Sequence, residues 1–452
     1  MYIVISGCGK IGRDILENLV SEGHDVTAID TDPAIIEEVN NVYDVMGVCG
    51  NGADYETLEE AEINKANLFI SATGSDELNM LSCFFARKMG AHHTVARIRN
   101  PEYNDKSLGF MKNQLHLSMA INPELITAQE LFGMLKLPSA TKIERFSARN
   151  FALIEQRVKP TSALNGLSLS EISTKFKSNV LVCAVQRNND TVIPDGNFVV
   201  EAGDKISIAA NFNEINKLMR SVGQYQKKAR SIMILGGSKT SYYLAKMLLM
   251  AGNSVKIVEK DMKKCQQLCE LLPKAVILNG DGSDQELLQE EGLDSLDAFI
   301  ALTGMDEENI LVSLFAMAHN VPQVITKVNS SELGIMAEKL GIDYLVSPKA
   351  SASNVVVRYA RALENSAGSN METLYRIMDG TAEALEFIVT EESKVTNRPL
   401  KEIAFKSNIL ISAIFRKGKT IVPTGDDFIL KGDKVIVVST KRHLNNLTDV
   451  LK

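Results

Sequence analysis

Tyr2-Ile3-Val4-Ile5-Ser6-Gly7-Cys8-Gly9-Lys10-Ile11-Gly12 opens the chain with an apolar run that breaks into glycines spaced Gly7-x-Gly9-x-x-Gly12. The run Tyr2–Ser6 reads as a strand buried on both faces. Directly behind it Ile11, Ile15, Leu16, Leu19 and Val20 recur at helical spacing, which predicts one apolar helix face. A glycine pattern at a strand-to-helix turn has a steric reading at each place. Gly7 permits the tight turn, Gly9 lets a ligand approach the backbone, and Gly12 lets the helix pack close to the sheet. The unpaired N–H groups at the helix start then form a cradle for a pyrophosphate, which the helix dipole favours.

Working outward, Val26–Ile29, Val42–Val48, Leu68–Ala72 and Thr94–Ile98 read as further strands with helical patterns between them. Such alternation predicts a doubly wound, Rossmann-like parallel sheet covered on both faces. Asp30 stands at the end of the second strand, 18 residues after Gly12. A carboxylate there can accept hydrogen bonds from both ribose hydroxyls and would repel the 2′-phosphate of NADP. The expected ligand is NAD(H) or an adenine nucleotide, ATP or ADP, with a free ribose diol. Open parallel sheets bind ligands at their carboxyl edge. Thr73-Gly74 after the fourth strand, Gly50-Asn51-Gly52 after the third, and Arg97 on the fifth should therefore face the same crevice.

The chain also repeats itself at an offset of about 230 residues. Ile5 to Lys10 lines up with Ile234-Leu235-Gly236-Gly237-Ser238-Lys239, and Ala28 to Asp32 with Ile257 to Asp261. Gly50 to Asp54 matches Gly280 to Asp284, and Thr73 to Asn79 matches Thr303 to Asn309. Downstream, Ile193-Pro194-Asp195-Gly196 meets Val422-Pro423-Thr424-Gly425, and Gly203-Asp204-Lys205 meets Gly432-Asp433-Lys434. The unit is a large α/β part followed by a small α+β part. In the first small part Phe151–Val158, Val180–Arg187 and Ile206–Ala210 read as strands. Asn188-Asn189-Asp190 and Pro194-Asp195-Gly196 supply turns, and a short helix starts near Ser168. Seams near Pro138–Lys142, Gly223–Arg230 and Asn365–Asn370 divide the chain into residues 1–137, 141–225, 229–364 and 371–452.

In the second copy Gly236 keeps its place, but Ser238 and Ser241 stand where Gly9 and Gly12 stood. A side chain at either place narrows the phosphate approach or loosens helix packing. Glu259 retains the acid and Lys327 replaces Arg97. Lys239-Thr240 lacks the preceding glycine and four-residue spacer of a P-loop.

The remaining composition excludes more than it selects. With 45% hydrophobic and 23% charged residues the chain is a core-forming protein, and a net charge of −7 gives no reason to expect nucleic acid. No apolar stretch is long enough for a membrane span, no secretory signal opens the chain, and no polybasic run offers a lipid anchor. The six cysteines are scattered; Cys265 and Cys269 have no matching pair nearby, so ordinary packing is expected rather than a metal. Cys8 reads as a small residue filling the glycine turn rather than a redox group. A dehydrogenase needs a proton-moving group over the nicotinamide. Of the six histidines, His24 before a strand and His92-His93 at a helix-strand turn read as solvated loop residues rather than catalysts; His116, His319 and His443 are the others, and none of the six lies in the first small part. The expectation is a nucleotide switch without catalysis, against the alternatives of an NAD-dependent oxidoreductase or a nucleotide-sensing scaffold for another partner.

Gly7-Cys8-Gly9-Lys10-Ile11-Gly12, Val26 to Asp32, Ser71 to Met80 and Ala96-Arg97-Ile98-Arg99 together resemble the Trk-type potassium-uptake regulators, a family of tandem RCK (regulator of K⁺ conductance, or KTN) domains. The resemblance runs over essentially the whole chain. It implies two nucleotide-binding N-terminal domains, each followed by a C-terminal RCK lobe. It also implies a peripheral, cytoplasmic subunit held on the inner face of the membrane by a TrkH-like potassium channel or transporter subunit. A homo-oligomer follows, either a ring of four nucleotide lobes from two chains or a larger assembly. The family's NAD contacts carry over onto Gly7, Cys8, Gly9, Lys10, Ile11, Asp30, Thr73, Gly74 and Arg97. In the second copy they carry over onto Gly236, Gly237, Ser238, Lys239, Thr240, Glu259, Thr303, Gly304 and Lys327.

Overall fold

The computed structural model describes residues 1–452 except 104, 147–150, 189, 226, 366–369 and 441–443. Its first large lobe holds β1 (Tyr2–Ser6), β2 (Asp25–Asp30), β3 (Met46–Cys49), β4 (Leu68–Ser71), β5 (His93–Arg97) and β6 (Met119–Ile121). They form one parallel sheet in the order β3-β2-β1-β4-β5-β6. Helices α1 (Lys10–Ser21), α2 (Pro33–Val42), α3 (Tyr55–Glu60), α4 (Asp76–Lys88) and α5 (Asp105–Gln114) connect and flank it, and α6 (Pro123–Lys136) follows the last strand. Two features differ from the sequence reading. Val42 closes α2 instead of opening the third strand, and the sixth strand, three residues long, is too short to show a period.

The first small lobe holds β7 (Lys142–Arg145), β8 (Phe151–Arg157), α7 (Leu169–Phe176), β9 (Leu181–Arg187), β10 (Asp190–Val192), β11 (Lys205–Asn211) and α8 (Phe212–Ser221). Its sheet is antiparallel, in the order β10-β9-β11-β8-β7. Helix α7 starts where expected because Ser168 and Glu171 form a reciprocal capping box.

The second large lobe repeats the first. Its strands are β12 (Ser231–Leu235), β13 (Ser254–Glu259), β14 (Val276–Asn279), β15 (Ala298–Ala301), β16 (Gln323–Lys327) and β17 (Tyr344–Val346). Its helices are α9 (Lys239–Met250), α10 (Met262–Leu271), α11 (Gln285–Glu290), α12 (Asp306–Ala318), α13 (Ser331–Lys339) and α14 (Pro348–Asn365). The strand order β14-β13-β12-β15-β16-β17 copies the first sheet. The second small lobe contains β18 (Met371–Ile377), β19 (Ala382–Ile388), β20 (Ile409–Arg416), β21 (Lys419–Ile421) and β22 (Lys434–Ser439), again antiparallel. Among its described residues 3₁₀ turns replace α-helices. Pro399 precedes the turn Leu400–Glu402 and, unlike Ser168, offers no side-chain acceptor to cap a helix.

The two copies are locked by exchange. Ala128, Leu131, Met134 and Leu135 of α6 are buried in the core of the second large lobe, beside Ile234, Leu244 and Ile300. Val356, Val357 and Ala360 of α14 enter the core of the first. The sheets of the two small lobes share a core as well, with Phe151 edge-on to Phe415 at 5.3 Å. Among the described residues no helix is long and apolar enough to cross a membrane.

Candidate functional site

The glycine turn has the geometry its spacing predicts. Gly7 has φ +90°, and a Cβ there would sit 2.7 Å from the Thr73 nitrogen. A Cβ on Gly12 would lie 1.9 Å from the Gly7 carbonyl oxygen, so helix and strand touch backbone to backbone. Around Gly9 there is open space. Gly9 is also the N-cap of α1 and has no side chain to occupy the helix end. The start of α1 is therefore left to an incoming anion. The carboxylate of Asp30, half-buried at the end of β2, accepts from the Cys8 N–H at 2.7 Å and from the Asp32 N–H at 3.0 Å. It both ties the turn and faces the crevice.

Cys8 itself points away. It is fully buried, and burial, reinforced by the Asp30 charge, pushes its thiol up to about 12. In the native protein at pH 8, iodoacetamide is expected to label Cys49 and Cys269, the two exposed cysteines, and to spare Cys8 until the chain unfolds. Mass spectrometry of the labelled peptides checks this; labelling of native Cys8 would contradict the geometry.

The opposite wall is built by a residue that sequence reasoning passed over. Asn79 on α4 is fully buried. Its Oδ1 accepts from the Thr73 N–H at 2.8 Å and from the Thr73 hydroxyl at 2.7 Å, while its Nδ2 donates to the Arg97 carbonyl at 2.8 Å. One amide thus joins the end of β4 to the end of β5. Asn309 repeats the arrangement with Thr303 and Lys327. The signal was present, since both asparagines close the repeated Thr-Gly phrase. Arg97 reaches Glu124 on α6 at 3.5 Å, yet its Nε and the Glu124 Oε2 are buried without a partner among the described residues. Burial works against the Arg97 charge and Glu124 partly restores it. A half-buried guanidinium with an unspent donor beside an open cradle fits a phosphate- and ribose-bearing ligand.

The cleft so formed has a volume of about 850 Å³ and belongs to both copies. Gly7, Gly9, Lys10, Ile11, Asp30, Thr73, Gly74 and Arg97 line it from the first large lobe. Ser238, Lys239, Thr240, Gly304, Lys327 and Lys349 line it from the second. Tyr243 of α9 bridges the rim, its hydroxyl donating to the Arg99 carbonyl at 3.0 Å and accepting from Asn122 at 3.1 Å. Cys8 and Gly12 lie behind the lining and shape it from there.

The second crevice is smaller, about 390 Å³, with Gly236, Gly237, Ser238, Glu259, Thr303, Gly304 and Lys327 around it. Lys239 and Thr240 do not line it; they face the shared cleft. Glu259 copies Asp30, accepting from the Gly237 N–H at 2.7 Å and the Asp261 N–H at 2.8 Å. The helix start differs. Ser238 caps α9 by accepting the Ser241 N–H at 3.2 Å, and the Ser241 hydroxyl donates to the Gly236 carbonyl at 2.5 Å. The protein's own serine takes a donor that the first copy leaves open. Burial, with Lys10 nearby, lowers the Lys327 pKa, and its ammonium donates to the Thr303 carbonyl.

The histidines are dispersed. His24 is buried, not solvated, because it is packed near Arg361 and Glu364 of α14, an element distant in sequence. His92 and His116 are exposed, His319 pairs with Asp294 at 2.7 Å, and His443 lies outside the described residues. Among the described residues no three His, Cys, Asp or Glu side chains cluster as a metal site.

Comparison with known proteins places this architecture. The TrkA-N domain model matches residues 3–115 and 232–348, and the TrkA-C domain model matches 153–223 and 384–452. A Trk system potassium uptake protein TrkA homolog of Methanosarcina mazei is 31% identical over 447 residues, covering 97% of each chain. The homolog from Archaeoglobus fulgidus is 30% identical over the full length of both, and the Haemophilus influenzae protein TrkA is 28% identical over 98% of this chain and 97% of its own. Among solved structures, the GsuK channel bound to NAD superposes with a TM-score of 0.64 at 16% identity, over 97% of this chain and 77% of that one. GsuK bound to ADP gives 0.52 at 14% identity, over 81% and 69%. Both domain models recur in the same order, and full-length relatives reach 31% identity; the chain belongs to the TrkA family of Trk system potassium uptake proteins.

Proposed function

We propose that this chain is the cytoplasmic regulatory subunit of a Trk-type potassium transport system, binding NAD(H) in the first crevice to control a TrkH-like channel or transporter in the membrane. The observation that carries the nucleotide half is the uncapped start of α1 at an open Gly9, with Asp30 on one side and the unspent Arg97 donor on the other. The relatives' shared name, potassium uptake, supports the transport half. GsuK, similar in fold, has been solved with NAD and with ADP, so ATP and ADP are the competing ligands. The self-capped second crevice is the weaker site. Two chains would bring four large lobes into a ring.

The mechanism is a population shift. A ligand held between Gly9, Asp30, Thr73 and Arg97 also lies within the cleft lined by Lys239, Lys327 and Lys349, so it favours one mutual orientation of the large lobes. It can move that equilibrium only by its difference in affinity for the two orientations. Linkage then requires the membrane partner's conformation to alter nucleotide affinity in return. An oxidoreductase would need a proton-moving side chain on the cleft; among the described residues lysines and not histidines line it, so turnover is the test that separates the two readings.

Deleting the gene should slow growth at limiting potassium, with rescue by the intact chain. Unaltered uptake in the deletion strain would remove the transport assignment. Steady turnover of a small metabolite with NADH oxidation by the purified chain would instead favour the dehydrogenase.

A further inference from the structure

We infer that a buried ion cluster, Glu22–Arg361–Arg376–Glu383, is a joint that passes nucleotide occupancy of the first crevice directly to the second small lobe, and to the first only through the contacts that β18 makes with it, such as the Lys142 ammonium donating to the Arg376 carbonyl at 2.8 Å. This rests on the reading of the first crevice as the nucleotide site.

Two helices run from the cleft to the cluster. Lys10 at the start of α1 and Pro348 and Lys349 at the start of α14 all line the cleft. The helices stay in contact along their length. Lys349 pairs with Asp14 at 3.4 Å, the Ser353 hydroxyl donates to the Asp14 carbonyl at 3.1 Å, and Val356, Val357 and Ala360 pack with Ile15, Leu16 and Leu19 in one core. Over its 12 residues α1 spans about 18 Å. It ends at Glu22, its C-cap.

There the second small lobe takes hold. The Arg361 guanidinium donates to Glu22 and, in a two-pronged pair at 2.9 and 3.2 Å, to Glu383 on β19. Arg376 on β18 donates to Glu22 and to the Asn18 side-chain oxygen. The Glu22 and Glu383 side chains are each 2% exposed, Arg361 7% and Arg376 12%. A carboxylate at a helix C-terminus meets the negative end of the dipole, so this one depends on its arginines. Burial opposes its charge, but Arg361 and Arg376 more than offset that and hold the carboxyl below its usual range. Shifting α1 and α14 against β18 and β19 would strand buried charge with no water to replace the partners. The contact therefore moves as a unit or breaks as a unit.

The duplication lacks this joint on the other side. Helix α9 ends at Ala251 where α1 ends at Glu22. In the β7–β8 register Arg145 faces Ala152, whereas in β18–β19 Arg376 faces Glu383. The matching position to Arg361 on α6 is Lys136, the last residue of that helix, and it is exposed.

The test uses the full chain with NADH as probe, hydrogen exchange as readout and calorimetry for affinity. Saturating NADH should change amide exchange in β18 and β19 by about threefold or more and change β7 and β8 less, since these meet the cluster only through β18. In Glu22→Gln the affinity should stay within roughly threefold of the native chain while the response at β18–β19 vanishes. Should Glu22→Gln fail to fold by thermal melting, Arg376→Gln, at the wetter edge of the cluster, carries the same expectation. NADH binding with no response at β18–β19, an undiminished response in the variants, or an equal response at β7–β8 overturns the joint alone. No NADH binding to the native chain overturns the reading of the crevice, and the joint with it.

Discussion

Asp30→Ala should weaken NADH binding to the first crevice by roughly 30- to 150-fold, the equivalent of about 2–3 kcal/mol lost from charge-assisted hydrogen bonds. The carboxylate stands at the end of β2 with each oxygen already accepting one backbone N–H, from Cys8 and from Asp32. Each oxygen keeps a further lone pair for a ribose hydroxyl. Alanine removes both roles. The Cys8 N–H would lose its acceptor inside the turn, which costs about 1–3 kcal/mol of local stability. Asp30→Asn separates the two effects, because its carbonyl oxygen can still accept from Cys8 while the charge is gone. The asparagine variant should melt close to the native chain and still bind NADH about tenfold more weakly. Calorimetry and thermal melting read both quantities. Native affinity in the alanine variant would rule out the ribose role.

Leu131→Ala should destabilise the chain by about 2–5 kcal/mol, the usual cost of a cavity left by a buried leucine. The informative part is where the damage falls. Leu131 belongs to α6, which follows the first sheet in sequence, but it is fully buried against Ile234, Leu244, Leu248 and Ile300 of the second large lobe. Hydrogen exchange should therefore accelerate in β12 and β15 and stay slow in β1 and β4. Val357→Ala, on α14, should show the mirror pattern, with β1 and β4 loosened. Loosening confined to the lobe nearer in sequence would disprove the exchange of helices. The same two helices help form the cleft, since Glu124 of α6 and Lys349 of α14 line it. The crossed packing and the candidate site are thus one construction.

Much of the site could be read in advance because its causes are local. Gly7 must turn with positive φ, Gly12 must let helix meet strand, and a carboxylate must stand at the end of β2; each is a matter of a few neighbouring atoms. The changes at Ser238 and Ser241 were equally visible, and their consequence is a helix start capped by its own chain. Asn79 was harder. An asparagine inside a helix carries no local sign of its use, and only the fold brings Thr73 and the Arg97 carbonyl to it. His24 reads as solvated in the sequence for the same reason, because the burial that Arg361 and Glu364 of α14 accompany comes from more than 300 residues away.

By itself the sequence determined the duplication, the alternation of strands and helices, the glycine cradle and its acidic neighbour. Periodicity and steric exclusion act over a few residues and leave their mark on the residues themselves. Only the tertiary structure decided which lobe α6 and α14 would cover, that the second copy's lysines would face the first copy's cleft, and that Glu22 would be buried among arginines from α14 and β18. An apolar helix stripe is indifferent to which core it fills, and a charge is indifferent to which opposite charge neutralises it. Connection length and the fit of whole lobes made those choices.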